Sequence, residues 1–141
     1  MSERTIEAIL GRARRVVVVG LSDKPHRTSY QVAAVLQQQG YEIVPVNPNI
    51  DESLGERAYP SLADVPGEID LVDVFRRQEH LPGVAREAAD RGVPALWNQL
   101  GLRSEEARRI AEDAGMDYVE DRCLKVEVQR RAGAMDLPPA A

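Results

Sequence analysis

Lys24, His26 and Arg27 stand in one short loop, with Ser22, Thr28 and Ser29 beside them. Cations clustered among hydroxyls suit phosphate: ammonium and guanidinium groups balance its charge, and nearby donors fix its oxygens. The loop follows Arg15 and four consecutive valines, closed by Gly20, and leads into Tyr30-Gln31-Val32-Ala33-Ala34-Val35-Leu36. A β-branched apolar run suits a strand buried on both faces of a parallel sheet. The stretch after the loop reads as a helix that Thr28 or Ser29 caps. Strand, loop and helix N-terminus then aim free backbone N–H groups and the positive end of the helix dipole at one spot. A purely structural turn of the same shape is the alternative, and it has no need of clustered positive charge. The pattern is neither GxGxxG nor GxxxxGK[ST]; only Gly20 stands where such loops want glycine.

Other residues offer less. His80 at a helix start reads as an exposed or capping histidine before it reads as a base. Cys123 lies between Arg122 and Lys125, a setting that activates an exposed thiol. The other reading is a small buried residue that fastens the last segment to the sheet, and it is the stronger. Asp73 and Asp121 have no partner at motif spacing, and no Ser-His-Asp or paired-carboxylate arrangement is present. One cysteine and two well-separated histidines give no disulfide framework and no metal-ligand spacing.

The 141 residues suit one domain, 43% hydrophobic and 29% charged, as expected of a soluble globular chain. A net charge of −5 and an aromatic content of 4% argue against a nucleic-acid partner, which needs a broad basic surface and stacking rings. The charged N-terminus is unlike a signal peptide and no run reaches membrane-spanning length, so a cytoplasmic protein with no membrane partner is expected.

Apolar periodicity and turn residues supply the elements. Residues 5–14 form an amphipathic helix capped by Ser2 or Thr5, and the helix from about 29 closes on Gly40. The second strand spans 41–46, where Pro45 marks an edge or the strand's exit from the ladder. A turn-rich connection follows, with Ser61 capping a short helical turn. The third strand spans 69–75, a helix 79–91 ends at Gly92, and the fourth strand spans 93–97. Ser104 caps a helix that runs to Gly115, a short strand covers 116–119, and 121–131 is a last amphipathic segment. Residues 1–132 make the domain and 133–141 a flexible C-terminal tail.

Alternating strands and helices predict an α/β, Rossmann-like, doubly wound sheet of five parallel strands in the order 3-2-1-4-5. That order places the switch point between the first and fourth strands. Loops 20–29, 47–49, 75–78 and 98–102 should share one crevice there. A dinucleotide site for NAD ends its second strand on an acidic residue that holds the ribose diol. Here that place is Val46-Asn47-Pro48, and the first carboxylates, Asp51 and Glu52, come after a proline turn. NAD is disfavoured, and a nucleotide with extra phosphate is better suited.

The blocks Val19-Gly20-Leu21-Ser22-Asp23-Lys24-Pro25, Pro45-Val46-Asn47-Pro48, Val72-Asp73-Val74-Phe75-Arg76-Arg77, Trp97-Asn98-Gln99-Leu100-Gly101 and Asp121-Arg122-Cys123-Leu124-Lys125 together resemble the stand-alone CoA-binding domain family. The likeness runs from about residue 6 to residue 130. That family's fold is similar to the N-terminal domain of the succinyl-CoA synthetase alpha subunit. The resemblance implies that Gly20, Leu21, Ser22 and Lys24 meet the phosphates of coenzyme A, with Arg27 and Ser29 beside them. It places Val46, Asn47 and Pro48 at the adenine and ribose, Val74, Phe75 and Arg76 along the middle of the ligand, and Asn98 and Gln99 at the pantetheine. Two positions depart from the family pattern: His26 replaces a small loop residue, and Asn98 an apolar one.

The function expected is a protein that holds CoA or a short acyl-CoA at the carboxyl ends of the strands. Ligase activity does not carry over, because the synthetase's phosphorylated histidine belongs to a second domain. Two alternatives stay open. One is an NADP-dependent enzyme; the other is a ligand-free interaction subunit of a larger acyl-CoA enzyme. Self-association, as a homo-oligomer, is compatible with either.

Overall fold

The computed structural model describes residues 3–134. Helix α1 (Glu3–Arg12) precedes β1 (Arg15–Val19), α2 (Thr28–Gln38) and β2 (Glu42–Val46). A small hairpin, β3 (Glu52–Ser53) and β4 (Glu56–Arg57), and one 3-10 turn (Leu62–Asp64) lead to β5 (Leu71–Val74). A second 3-10 turn (Gln78–His80) runs into α3 (Leu81–Asp90); β6 (Ala95–Asn98), α4 (Glu105–Asp113), β7 (Asp117–Val119) and α5 (Leu124–Ala134) complete the order. No helix among the described residues is long and apolar enough to cross a membrane. The proposed Ser2 cap and residues 135–141 of the expected tail lie outside the described residues. Gly133 and Ala134, assigned to that tail, belong to α5.

Strands β1, β2, β5, β6 and β7, the first to fifth strands expected from the sequence, form one parallel sheet, as the alternation of elements predicts, but its order is β2-β1-β5-β6-β7. In the ordinals used above this is 2-1-3-4-5, not 3-2-1-4-5. The third long strand bonds to the first, with Val16 opposite Leu71 and Val19 opposite Val74, and the second takes the edge. Pro45 supplies the physical reason. Proline has no N–H, so a strand holding it fits a position with one neighbour and breaks a rung in a strand flanked on both sides. Backbone of Tyr59 covers the outer side of β2, donating to the Pro45 carbonyl (3.0 Å) and accepting from the Asn47 N–H (2.9 Å). With this order the switch point lies between β1 and β5.

Both faces of the sheet are buried. Val16, Val18, Leu71, Ala95 and Trp97 pack beneath α1, α2 and α5; Val17, Val19, Val72, Val74 and Leu96 pack beneath α3, α4 and the turn at Leu62. The continuous apolar runs of β1 and β5 follow from this double cover. Helix starts differ in one instructive respect. Ser104 caps α4 as expected, its hydroxyl accepting the Ala107 N–H at 3.0 Å. At α2 the helix begins at Thr28 with Arg27 in the capping position, and no side chain caps it.

Candidate functional site

The tips of β1, β2 and β5 are bound to one another by backbone. The Gly20 N–H donates to the Val46 carbonyl (2.8 Å) and the Phe75 N–H to the Val19 carbonyl (2.8 Å). Gly20 adopts a φ of +87°, and a Cβ there would stand 2.1 Å from the Phe75 carbonyl oxygen. Only glycine allows the three tips to close so tightly.

Above them opens a crevice of about 610 Å³. Gly20 and Arg27 line it from the β1–α2 loop, Val46 to Asn49 from the end of β2, and Phe75, Arg76 and Arg77 from the end of β5. Pro60, Ser61 and Leu62 form one further wall, with Val84 and Glu87 of α3 below. The Arg91 guanidinium fixes that wall, donating to the carbonyls of Leu62 (2.7 Å), Val65 (2.8 Å) and Gly67 (2.9 Å).

The residues singled out from sequence separate into three sets. Gly20, Arg27, Val46, Asn47, Pro48, Phe75 and Arg76 border the crevice together. Leu21, Ser22, Ser29 and Val74 shape it from behind: Leu21 and Val74 are buried in the core, and the Ser29 hydroxyl accepts the Ser22 N–H at 3.0 Å. The Ser22 carbonyl accepts the Ser53 hydroxyl (2.7 Å), and the Asn47 amide donates to the Leu21 carbonyl (3.0 Å), so the hairpin and β2 brace the loop. Lys24 lies on the loop outside the crevice lining, its ammonium 4.0 Å from the Asp23 carboxylate and largely exposed.

Asn98 and Gln99 form the third set, apart from the crevice. Moving the switch point to β1 and β5 leaves the tip of β6 one strand away. The Asn98 amide donates to the Tyr118 hydroxyl (2.9 Å), which in turn donates to Glu120 (2.7 Å). Gln99 accepts the Leu124 N–H at the start of α5 (3.0 Å). Burial raises the Tyr118 hydroxyl pKa well above its usual value, helped by Glu120. Burial also works to raise Glu120, but Tyr118, the Ser104 N–H and Arg108 outweigh it and hold the carboxyl below its ordinary range.

Arg77, Pro60, Ser61, Leu62, Val84 and Glu87 line the crevice without having been singled out. Arg77 had a signal in its position beside Arg76 at a strand end. Glu87 had none, since an exposed acid on an amphipathic helix is ordinary. Asp73 has both carboxylate oxygens buried with no hydrogen-bond partner, opposite Val18 and Trp97 in the ladder. Burial raises its pKa well above the usual carboxylate value, outweighing the neighbouring Val74 amide. Cys123 is partly buried against the α2–α5 side of the core.

Sheet order, switch point and cationic crevice define a Rossmann-like α/β domain with an opening suited to a phosphorylated ligand. Residues 14–129 match the CoA binding domain model, and the chain belongs to that family. It is 50% identical over 125 residues to the uncharacterized protein YneT of Bacillus subtilis (strain 168), covering 89% of this chain and 93% of that one. It is 28% identical over 124 residues to the ADP-forming acetate–CoA ligase II subunit alpha of Pyrococcus furiosus, covering 80% of this chain and 27% of that subunit. A solved structure of a hypothetical protein from Pyrococcus horikoshii OT3 superposes with a TM-score of 0.88 at 34% identity, covering 92% of each chain. The chain is therefore a CoA binding domain related to subunits of ADP-forming acetate–CoA ligases, of whose alpha subunit it matches about a quarter.

Proposed function

We propose that this protein binds coenzyme A or a short acyl-CoA in the crevice at the β1, β2 and β5 tips, and that it holds the ligand without transforming it. The observation that carries the reading is a crevice lined by three guanidinium groups, one of them Arg27 at the uncapped start of α2, in a chain of the CoA binding domain family. Helix-terminal N–H groups and Arg27 suit the pyrophosphate, and Lys24 stands on the same loop. Ser22 and Ser29 hold that loop in shape, and the apolar edge of Phe75 offers a surface for the uncharged arm. The ionisable lining is Arg27, Arg76, Arg77 and Glu87, which contains no acid–base pair of the kind group transfer uses.

Calorimetric titration of ligand-free protein with CoA, acetyl-CoA, NADP and NAD tests this reading. Binding of the CoA species alone supports it, whereas binding of NADP alone redirects the assignment to redox chemistry. The relationship to ligase subunits supports a second reading, in which the domain works beside a larger acyl-CoA enzyme. Co-purification of such a subunit with the tagged protein, in an amount that CoA changes, supports that association.

A further inference from the structure

We infer that Arg76 and Arg77 form a second anion subsite, which takes a phosphomonoester on the ribose of the bound nucleotide and so selects CoA over dephospho-CoA. The inference rests on the CoA reading above and adds a specificity to it.

Charge is distributed over two separate walls of the crevice. Arg27 stands at the head of α2, whereas Arg76 and Arg77 follow the tip of β5. Several other guanidinium groups have close protein partners: Arg103 binds Asp121 (Nε 3.0 Å), Arg108 binds Glu120 (3.0 Å) and Arg91 binds three carbonyls. Among the described residues Arg76 has no ion pair or hydrogen bond. Arg77 meets only Glu79, at 3.9 Å, with both side chains mostly exposed. Such a contact contributes little and is easily exchanged. A pyrophosphate at α2 occupies the first wall and leaves the second without a counter-charge.

The tip of β2 favours a phosphorylated ribose. A site for an unmodified diol places a carboxylate there, and that charge repels a ribose phosphate. Here no carboxylate comes from Val46 to Asn49, and the Asn47 side chain is already engaged, its oxygen accepting the Asn49 N–H at 2.9 Å. A free diol loses its usual acceptor, and a phosphate meets no repulsion from this strand. Glu87 is the one carboxylate of the lining, against three guanidiniums. Two adjacent forks of N–H donors match the oxygens of a phosphomonoester, which carries more charge than a diester and attracts them more strongly.

The test is calorimetric titration of wild type and the Arg76→Ala, Arg77→Ala double variant with CoA and with dephospho-CoA. Wild type is expected to bind CoA at least about tenfold more tightly. The double variant is expected to lose about tenfold or more for CoA and only about threefold or less for dephospho-CoA, which removes the selectivity. Both arginines are exposed, so the variant should keep the wild-type melting temperature, and the two-ligand comparison on wild type needs no variant. Equal affinity of wild type for both ligands overturns the inference and leaves the CoA reading intact. Equal losses for both ligands in the variant do the same, and absence of binding by either ligand overturns both.

Discussion

The β1–α2 loop and the β6–α4 loop make the same journey, from a strand tip through a glycine to a helix start, and finish it in opposite ways. In the β6–α4 loop the glycine N–H, the loop arginine and the helix start are all answered within the protein. The Gly101 N–H donates to Asp121 (2.7 Å), Arg103 binds the same carboxylate, Ser104 caps α4, and Glu105 and Glu106 lie against the helix dipole. The Gly101 N–H and Arg103 together hold the Asp121 carboxyl below its usual range. In the β1–α2 loop the backbone is braced just as firmly, by Ser29, Ser53 and Asn47, but α2 has no capping side chain and no acid in its first turn. One helix end is complete; the other is shaped and left open. An open end held rigid is suited to an external anion, since little ordering remains to oppose binding.

The largest effect expected is at Gly20. Gly20 and Gly101 share a φ of +87°, but a Cβ at Gly101 meets nothing within 4 Å, whereas at Gly20 it meets the Phe75 carbonyl. Gly20→Ala should cost about 2–4 kcal/mol of stability from strain and overlap together, and Gly101→Ala about 1–2 kcal/mol from backbone strain alone. Denaturant unfolding of the two variants measures the difference, and equal losses would mean that the tips relax apart.

Next is Arg27→Asp, which gives α2 the kind of closure α4 has. The capping residue already has extended backbone, with φ −77° and ψ 143°, so an aspartate fits without rearrangement. The helix should gain about 0.5–1 kcal/mol while CoA affinity falls by about tenfold or more, a stabilised protein that binds less. Thermal melts beside titrations read both, and unchanged affinity would separate the end of α2 from the ligand. Smallest is Ser104→Ala, expected to cost about 1 kcal/mol of stability and leave CoA affinity unchanged. A change in affinity there would show that the closed loop also serves the crevice.

Strands and helices were legible in the sequence because burial on two faces writes itself as uninterrupted Val, Leu and Ile, and helix ends as Ser104 or Gly92. Strand order was not, since the apolar runs of β1 and β5 look alike whatever their neighbours. Pro45 carried the clue, marking β2 as an edge strand, which an order of 3-2-1 contradicts. Half of the crevice was visible for a related reason: Arg27 and Arg76 are conspicuous cations at strand tips. The partners of Asn98 and Gln99, the Tyr118 hydroxyl and the Leu124 N–H, come from β7 and α5 across the fold and have no local signature in the sequence. The Ser29 hydroxyl illustrates the same limit at short range, turning to the Ser22 N–H rather than to the helix it was expected to cap.

The short stretch of Tyr59 backbone along β2 has one further consequence. A parallel sheet ends in rows of unpaired donors and acceptors that invite another chain to add a strand. Here Tyr59 occupies the C-terminal rungs of that row, at Pro45 and Asn47, where the missing proline N–H already thins it. The opposite margin, β7, is only three residues long and starts with the ion-paired Asp117. Both margins therefore leave only short lengths of strand open to pairing with another chain.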